Sequence, residues 1–461
     1  MGPHDNRRIL HRTLLLPALW AVGCASGGAS GATGPWTHGG GDQGTTTAAT
    51  GTSTEGATTQ ASGTSAGTAA GSSAGSGTVG TATASSTGAG DGPSTTGPNC
   101  PGAPFRVDVP NAWLDDVVAT PDRIVAVGWT EGQGGRLFAF DPCDGTMADE
   151  RTVQFDGQTG TRLRAVGWVD DVLLAAGDTP TANDPRQGLY LRVVPDTLQS
   201  QWEVPLHGSS GEDLLGDFAG VGGRMFLVGY TTPAEMRPWL VTADTAGGAC
   251  GFPWTPNGGA SGEVRAVTIW QDKALAAGHA AGGHLLRYAL DCACPCTPEA
   301  EYPLSLGFGE DDVLVNGLAT FGNQILGAGV YWTGGNQTNL EAFLVAVSPL
   351  SGVVSATWTL DPTPTGDGFL AVDVGDGFVV AAGGKGWDGV SQAFVGADAW
   401  ATAFTVPLSN GASPAWSFEP GGVDVLTAVD VDEARGAVYF VGLAGGEGVL
   451  MACTSDGTCP P

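Results

Sequence analysis

"GEDLLGDFAGVGGRMFLVGYT", residues 211–231, holds two short apolar runs on either side of "GVGG". Val, Phe and Leu in runs of this length, broken by a Gly cluster, predict two antiparallel strands joined by a tight turn. The cadence returns six more times. The Gly that ends each second run stands at Gly128, Gly177, Gly229, Gly278, Gly329, Gly383 and Gly442, with spacings of 49, 52, 49, 51, 54 and 59 residues. In the first six copies an apolar residue lies 14 positions before that Gly: Leu114, Leu163, Leu215, Val264, Val315 and Phe369. In the seventh it is Leu426, 16 positions before Gly442, which predicts a longer hairpin around "DVDEARG".

Each copy continues with a third run, such as "RLFAFD", "LYLRVV", "PWLVTA" and, in the sixth, "AFVGA". A fourth follows in most, such as "TVQF", "QWEVPL" and "ATWTL". A repeat of about 50 residues with four short strands is the pattern of a propeller blade, whose two faces are buried only when blades pack radially. The chain is therefore expected to be all-β, a seven-bladed β-propeller of four-stranded blades. The seventh copy ends at "GVLMACTSDGTCPP" with no fourth run, and "PFRVDVP" (104–110) precedes the first copy with no blade of its own. That segment is expected to complete blade seven and close the ring, removing the open sheet edge.

The amino terminus reads as an address. Arg7, Arg8 and Arg12 precede an apolar run from Leu14 to Val22, and then "GCAS". This is the layout of a secretory signal, with an apolar run too short for a permanent span. "AVGC" resembles a bacterial lipobox, with Ala21 where Leu is commoner and Gly23 before Cys24. The resemblance implies a lipoprotein signal over residues 1–23, acylation of Cys24 and attachment to a membrane through the lipid. Residues 24–103 are almost wholly Gly, Ser, Thr and Ala, and from Ala25 to Pro104 there is no Leu, Ile, Phe, Met, Lys or Arg. Such a segment is expected to be a disordered tether, leaving 104–461 as the propeller domain. The place implied is the cell envelope, at the outer membrane or cell surface.

The repeats resemble the bacterial seven-bladed β-propeller repeat of secreted and surface proteins. The likeness rests on "GSSGEDLLGDFAGVGGRMFLVGYTTP" and on "LEAFLVAVSPLSGVVSATWTL" (340–360), and it implies a fold and an extracytoplasmic setting. "TLQSQWEV" and "SGVVSATWTL" resemble in part the Thr-Gly-x-x-x-Trp pattern of quinoprotein propellers. Only the second supplies the Gly, and no vicinal Cys pair accompanies it.

Eight cysteines follow Cys24, an even number suited to disulfides after an export signal. The blade pattern sorts them into Cys100, Cys143, Cys453 and Cys459 near the seam of blades seven and one, and Cys250, Cys292, Cys294 and Cys296 between blades three and four. A bridge in the first group is expected to lock the seam. A zinc site at "CACPC" with His279 and His284 is the rival reading, although zinc favours C-x-x-C spacing.

With 47 Asp and Glu against 18 Lys and Arg, net charge −29, the chain is a poor match for nucleic acid. In a propeller the loops that lead into the innermost strands share a face with those between strands two and three. Acids cluster at that face: Glu212, Asp213, Glu263, Glu310, Asp311, Asp312, Asp367 and Asp424. They would suit Ca²⁺; the alternative is that Gly followed by an acid is repeated turn chemistry. No other cofactor is expected. Tyr331, Trp332 and Trp387 stand in Gly-rich loops after second strands and are the candidate ligand-binding aromatics. The reading is a monomeric binding or scaffold module for a protein or polysaccharide at the channel face. A propeller enzyme, quinone-dependent or hydrolytic, and a structural part of an envelope assembly are the alternatives.

Overall fold

The computed structural model describes residues 103–460 except 182–185, 210, 234, 254–260, 281, 308–311, 333–339, 361–365, 389–392 and 395–397. The signal, Cys24, the tether and Cys100 lie outside the described residues. The described chain is a ring of seven four-stranded antiparallel blades, with a single 3₁₀ turn, Phe155–Gly157, as the only helical element among the described residues.

The innermost strands are Trp113–Ala119, Arg162–Val169, Asp213–Val221, Gly262–Trp270, Asp312–Phe321, Asp367–Gly375 and Val425–Asp432. Blade seven is completed from the amino-terminal side. Strand Phe105–Val109 pairs with Glu447–Thr454, opposing Val107 to Leu450. The closure expected from the unpaired seventh repeat is the one observed.

Seven apolar clusters hold the ring, one in each gap between neighbouring blades. Leu114, Phe138 and Ile124 of blade one meet Tyr439, Val441 and Leu450 of blade seven, for example. Phe226 and Leu240 of blade three meet Val264, Leu286 and Tyr288 of blade four. Blade faces that would be exposed in isolation are buried by repetition.

The repeating Gly has a common cause. Each faces its apolar partner directly across the hairpin: Leu114 opposes Gly128, Leu215 opposes Gly229, and Leu426 opposes Gly442 in spite of the longer turn. One residue later every innermost strand bulges. The bulge presses the preceding carbonyl against the Gly. A Cβ added at any of the seven would stand 1.6–2.2 Å from a backbone oxygen. No side chain fits, so the sequence shows Gly seven times.

Blade six departs from the sequence reading. "AFVGA" is not its third strand; that strand is Ala399–Thr405, and Ala393–Phe394 pairs with Trp387–Asp388 in a small inserted hairpin. Both "AFVGA" and "AWATAFT" are short apolar runs, and periodicity alone does not rank them. The fourth strand of blade one, Met147–Val153, likewise lies earlier than "TVQF" suggested.

The disulfides fall inside the two sequence groups. Cys250–Cys294 joins the outer strand of blade three to blade four, and Cys292–Cys296 closes a short loop. The cysteines of "CACPC" are thus all consumed by disulfides. Cys453–Cys459 closes a loop of sequence separation 6 within blade seven, so this pair does not lock the seam. The strand pairing described above does. Cys143 is disulfide-bonded as well.

Candidate functional site: the central channel and its mouth

A bulge shifts the inside–outside alternation of a strand and turns one extra side chain off the sheet. Repeated seven times around a ring, it delivers seven residues to one axis. These are Asp115, Arg164, Gly216, Arg265, Asn316, Leu370 and Thr427, and all seven line a central cavity of about 340 Å³.

Below the bulge residues, carboxylates stitch neighbouring innermost strands together. Asp116 of blade one accepts the N–H of Val166 of blade two at 2.7 Å. Asp217 of blade three accepts from Val267 of blade four at 2.8 Å, and Asp373 of blade six from Val431 of blade seven at 2.7 Å. Asp430 accepts from Ala119 across the seam at 2.8 Å. The bulge residues add to the belt. Arg265 donates to Asn316 at 2.9 Å, Asn316 to the Phe369 carbonyl at 2.7 Å, and Thr427 to the Leu114 carbonyl at 2.8 Å.

These carboxyls are half-buried on the channel wall, and their partial removal from water raises their pKa values. Asp217 is pushed up to about 7, against the pull of the N–H groups of Val267 and Phe218. Asp115 is pushed up to about 6, with Arg164 and Arg162 opposing. Asp116, Asp373 and Asp430 are raised for the same reason, and Asp430 further by the nearby charge of Asp373.

Above the channel, at the mouth, lie the residues singled out from sequence. Asp213 is buried and spends its oxygens locally, accepting from Gly208 N–H at 2.7 Å, Ser209 and the Thr231 hydroxyl at 2.5 Å. Asp424 accepts from the Gly445 N–H at 2.8 Å, and Asp367 from Gly386 at 3.3 Å. These carboxylates tie the entry of each innermost strand to the residues that end or follow the second strand, and Asp213 also caps its own entry loop. Glu263 pairs with Arg265 at 2.5 Å, and Glu212 is half-buried. Asp312 begins an innermost strand with its side chain outside the description; Glu310 and Asp311 lie outside the described residues altogether. Among the described residues no three His, Cys, Asp or Glu side chains gather as a metal-holding group.

Tyr331, expected at the binding face, is only 4 % exposed and belongs to the core between blades four and five, its hydroxyl donating to Glu341. Trp332 beside it is half-buried, its ring 6.1 Å from that of His279. The Trp387 side chain lies outside the description. Trp129 stacks on Trp113 at 5.2 Å and is itself covered.

Sequence reading missed the channel acids and arginines. Their signal is a charged residue one, two or four positions after the aligned apolar residue, as in "LDDVVA", "LRAVG" and "LGDFAG".

No family model matches the chain, and no curated protein matches it either. Solved structures do. The Neurospora crassa Pan2 WD40 domain superposes with a TM-score of 0.50 at 10% identity, covering 76% of this chain and 94% of that one. A chain of the mitotic checkpoint complex gives a TM-score of 0.50 at 10% identity, over 77% of this chain and 95% of that one. The protein is a β-propeller. At that identity the likeness carries the fold alone.

Proposed function

We propose that this protein is an extracytoplasmic, lipid-anchored propeller that binds a protein partner, or less directly a polysaccharide, at the mouth of its central channel. The observation that carries the binding face is the chemistry of the channel. Every gap between blades is filled with aliphatic and aromatic side chains, yet the axis holds five aspartates and two arginines around a cavity of about 340 Å³. Burying charge costs several kcal/mol per ion in general. Unlike side chains on seven similar blades make an asymmetric surface, which a specific ligand needs and a mere spacer does not.

Two features support the setting. All seven described cysteines are disulfide-bonded, which suits an oxidising compartment. The leader, with three arginines, a short apolar run and Cys24, supplies an export and acylation signal.

Two measurements test the reading. Metabolic labelling with a fatty acid is expected to mark the protein and to vanish in Cys24→Ala. A photo-crosslinking residue placed at Trp332, on the mouth, is expected to yield a discrete adduct on intact producing cells. The same residue at Asp376, in an exposed hairpin turn on the opposite face, is expected to yield none. Adducts from Asp376 and not from Trp332 would overturn the proposed face.

A further inference from the structure

Three arginines of blade two meet at the channel mouth. Arg162 opens the innermost strand, Arg164 is its bulge residue, and Arg186 directly precedes the third strand. Asp178, on the second strand and wholly buried, takes the Nε of Arg164 at 2.6 Å and an ion pair from Arg186. Arg186 also donates to the Gly160 carbonyl at 3.3 Å. The Arg162 guanidinium lies 4.3 Å over the ring of Trp129 from blade one. Among the described residues Arg106–Asp108 and Arg435–Asp432 are single pairs, and Lys273 and Arg287 share Glu299.

The cluster is crowded with positive charge. Asp178, Glu212 on the half-buried rim and Asp115, raised by burial to about 6, oppose that charge from the sides. Arg186 is lowered to about 9 by burial and then by the charges of Arg162 and Arg164. Such a group gains when an anion arrives. Its guanidinia are already fixed by Asp178, Gly160 and Trp129, so little side-chain freedom is lost on binding, and the planar forks match a carboxylate.

We propose that this arginine cluster receives the carboxylate of an Asp, Glu or chain-terminal residue on a partner protein. This rests on the channel mouth being the binding face. Two observations favour a protein source over an acidic polysaccharide. The side chains of Arg164 and Arg186 are only 12% and 16% exposed, so the charge must enter on a methylene arm, whereas a uronate carboxylate is attached directly to its bulky ring. A chain of net charge −29 repels a polyanion but little disfavours a single carboxylate.

The test uses the purified full chain and N-acetylglutamate amide as probe, at low salt. Saturable binding is expected, at least about tenfold weaker for the glutamine analogue and weakened by added salt. Arg162→Gln with Arg186→Gln is expected to abolish it, and Arg224→Gln, on the opposite end of blade three, to leave it intact. Equal binding of the glutamine analogue, or unchanged binding in the double variant, would overturn the proposal; galacturonate bound as tightly as the glutamate probe would overturn the protein source. On the unsubstituted protein, the arginine Nε–H resonances of Arg162 and Arg186 must shift with the probe, and their failure to do so is equally decisive. A Trp332 adduct that survives the double arginine change unaltered would sink this inference while sparing the binding face. No adduct from Trp332 at all would remove the face itself.

Discussion

The carboxylate of Asp430, on the innermost strand of blade seven, accepts the backbone N–H of Ala119 on blade one at 2.8 Å, although 311 residues separate them. It is the inner half of a two-part seam. The outer half is the pairing of Phe105–Val109 with Glu447–Thr454. Blade seven is thus held to blade one near the axis and completed by the amino-terminal strand at the periphery.

Deleting residues 104–110 is therefore expected to leave an unpaired edge along Glu447–Thr454. The denaturation midpoint should fall, and the protein should associate, because an open edge strand pairs with other chains. Size-exclusion chromatography and a urea titration check this. A monomer with an unchanged midpoint would mean that the strand is dispensable.

Acidification should stabilise the domain. A carboxyl whose folded pKa is raised above its unfolded value of about 3.9 favours folding while protonated, and that contribution is lost as pH rises through the folded pKa. Asp115 and Asp217, raised to about 6 and about 7, place the loss between about pH 4 and pH 7. For Asp217 at most about 2–3 kcal/mol of that loss falls between pH 5 and pH 8. Denaturation midpoints at pH 5 and pH 8 measure it, and the midpoint at pH 5 should be the higher.

Replacing Cys250 and Cys294 together by Ser should destabilise the domain by about 2–4 kcal/mol, since their bridge spans 44 residues and unites two blades. Removing the bridge of Cys453 and Cys459, at separation 6, should cost less. Calorimetric unfolding of the two variants gives the order.

Much of this was legible because the signal is a steric one. Leu215 and Gly229 stand 14 apart in sequence for the reason that they stand opposite in space, and the same holds in the other blades. Even the odd spacing of Leu426 and Gly442 correctly announced a longer hairpin. The channel was not legible, and the bulge explains why. It reverses the alternation of the strand at Asp115 or Arg164, so a period-two reading assigns the following residues to the wrong face. Acids beside a Gly, such as Asp213, drew attention because they are conspicuous in sequence. Its oxygens are committed to its own entry loop and to Thr231 on the paired strand. The third strand of blade six was lost to an inserted hairpin that no periodicity marks.

The most direct measurement is an alanine series at the seven bulge-facing glycines, Gly128, Gly177, Gly229, Gly278, Gly329, Gly383 and Gly442. The control is Gly421, where an added Cβ meets nothing within 4 Å. Each of the seven is expected to lose about 3 kcal/mol or more, because a methyl carbon cannot share space with a carbonyl oxygen. Gly421→Ala should stay within about 0.5 kcal/mol of the parent. Folded, fully stable Gly→Ala variants at several of the seven would contradict the bulge, and with it the ring of side chains that makes the channel.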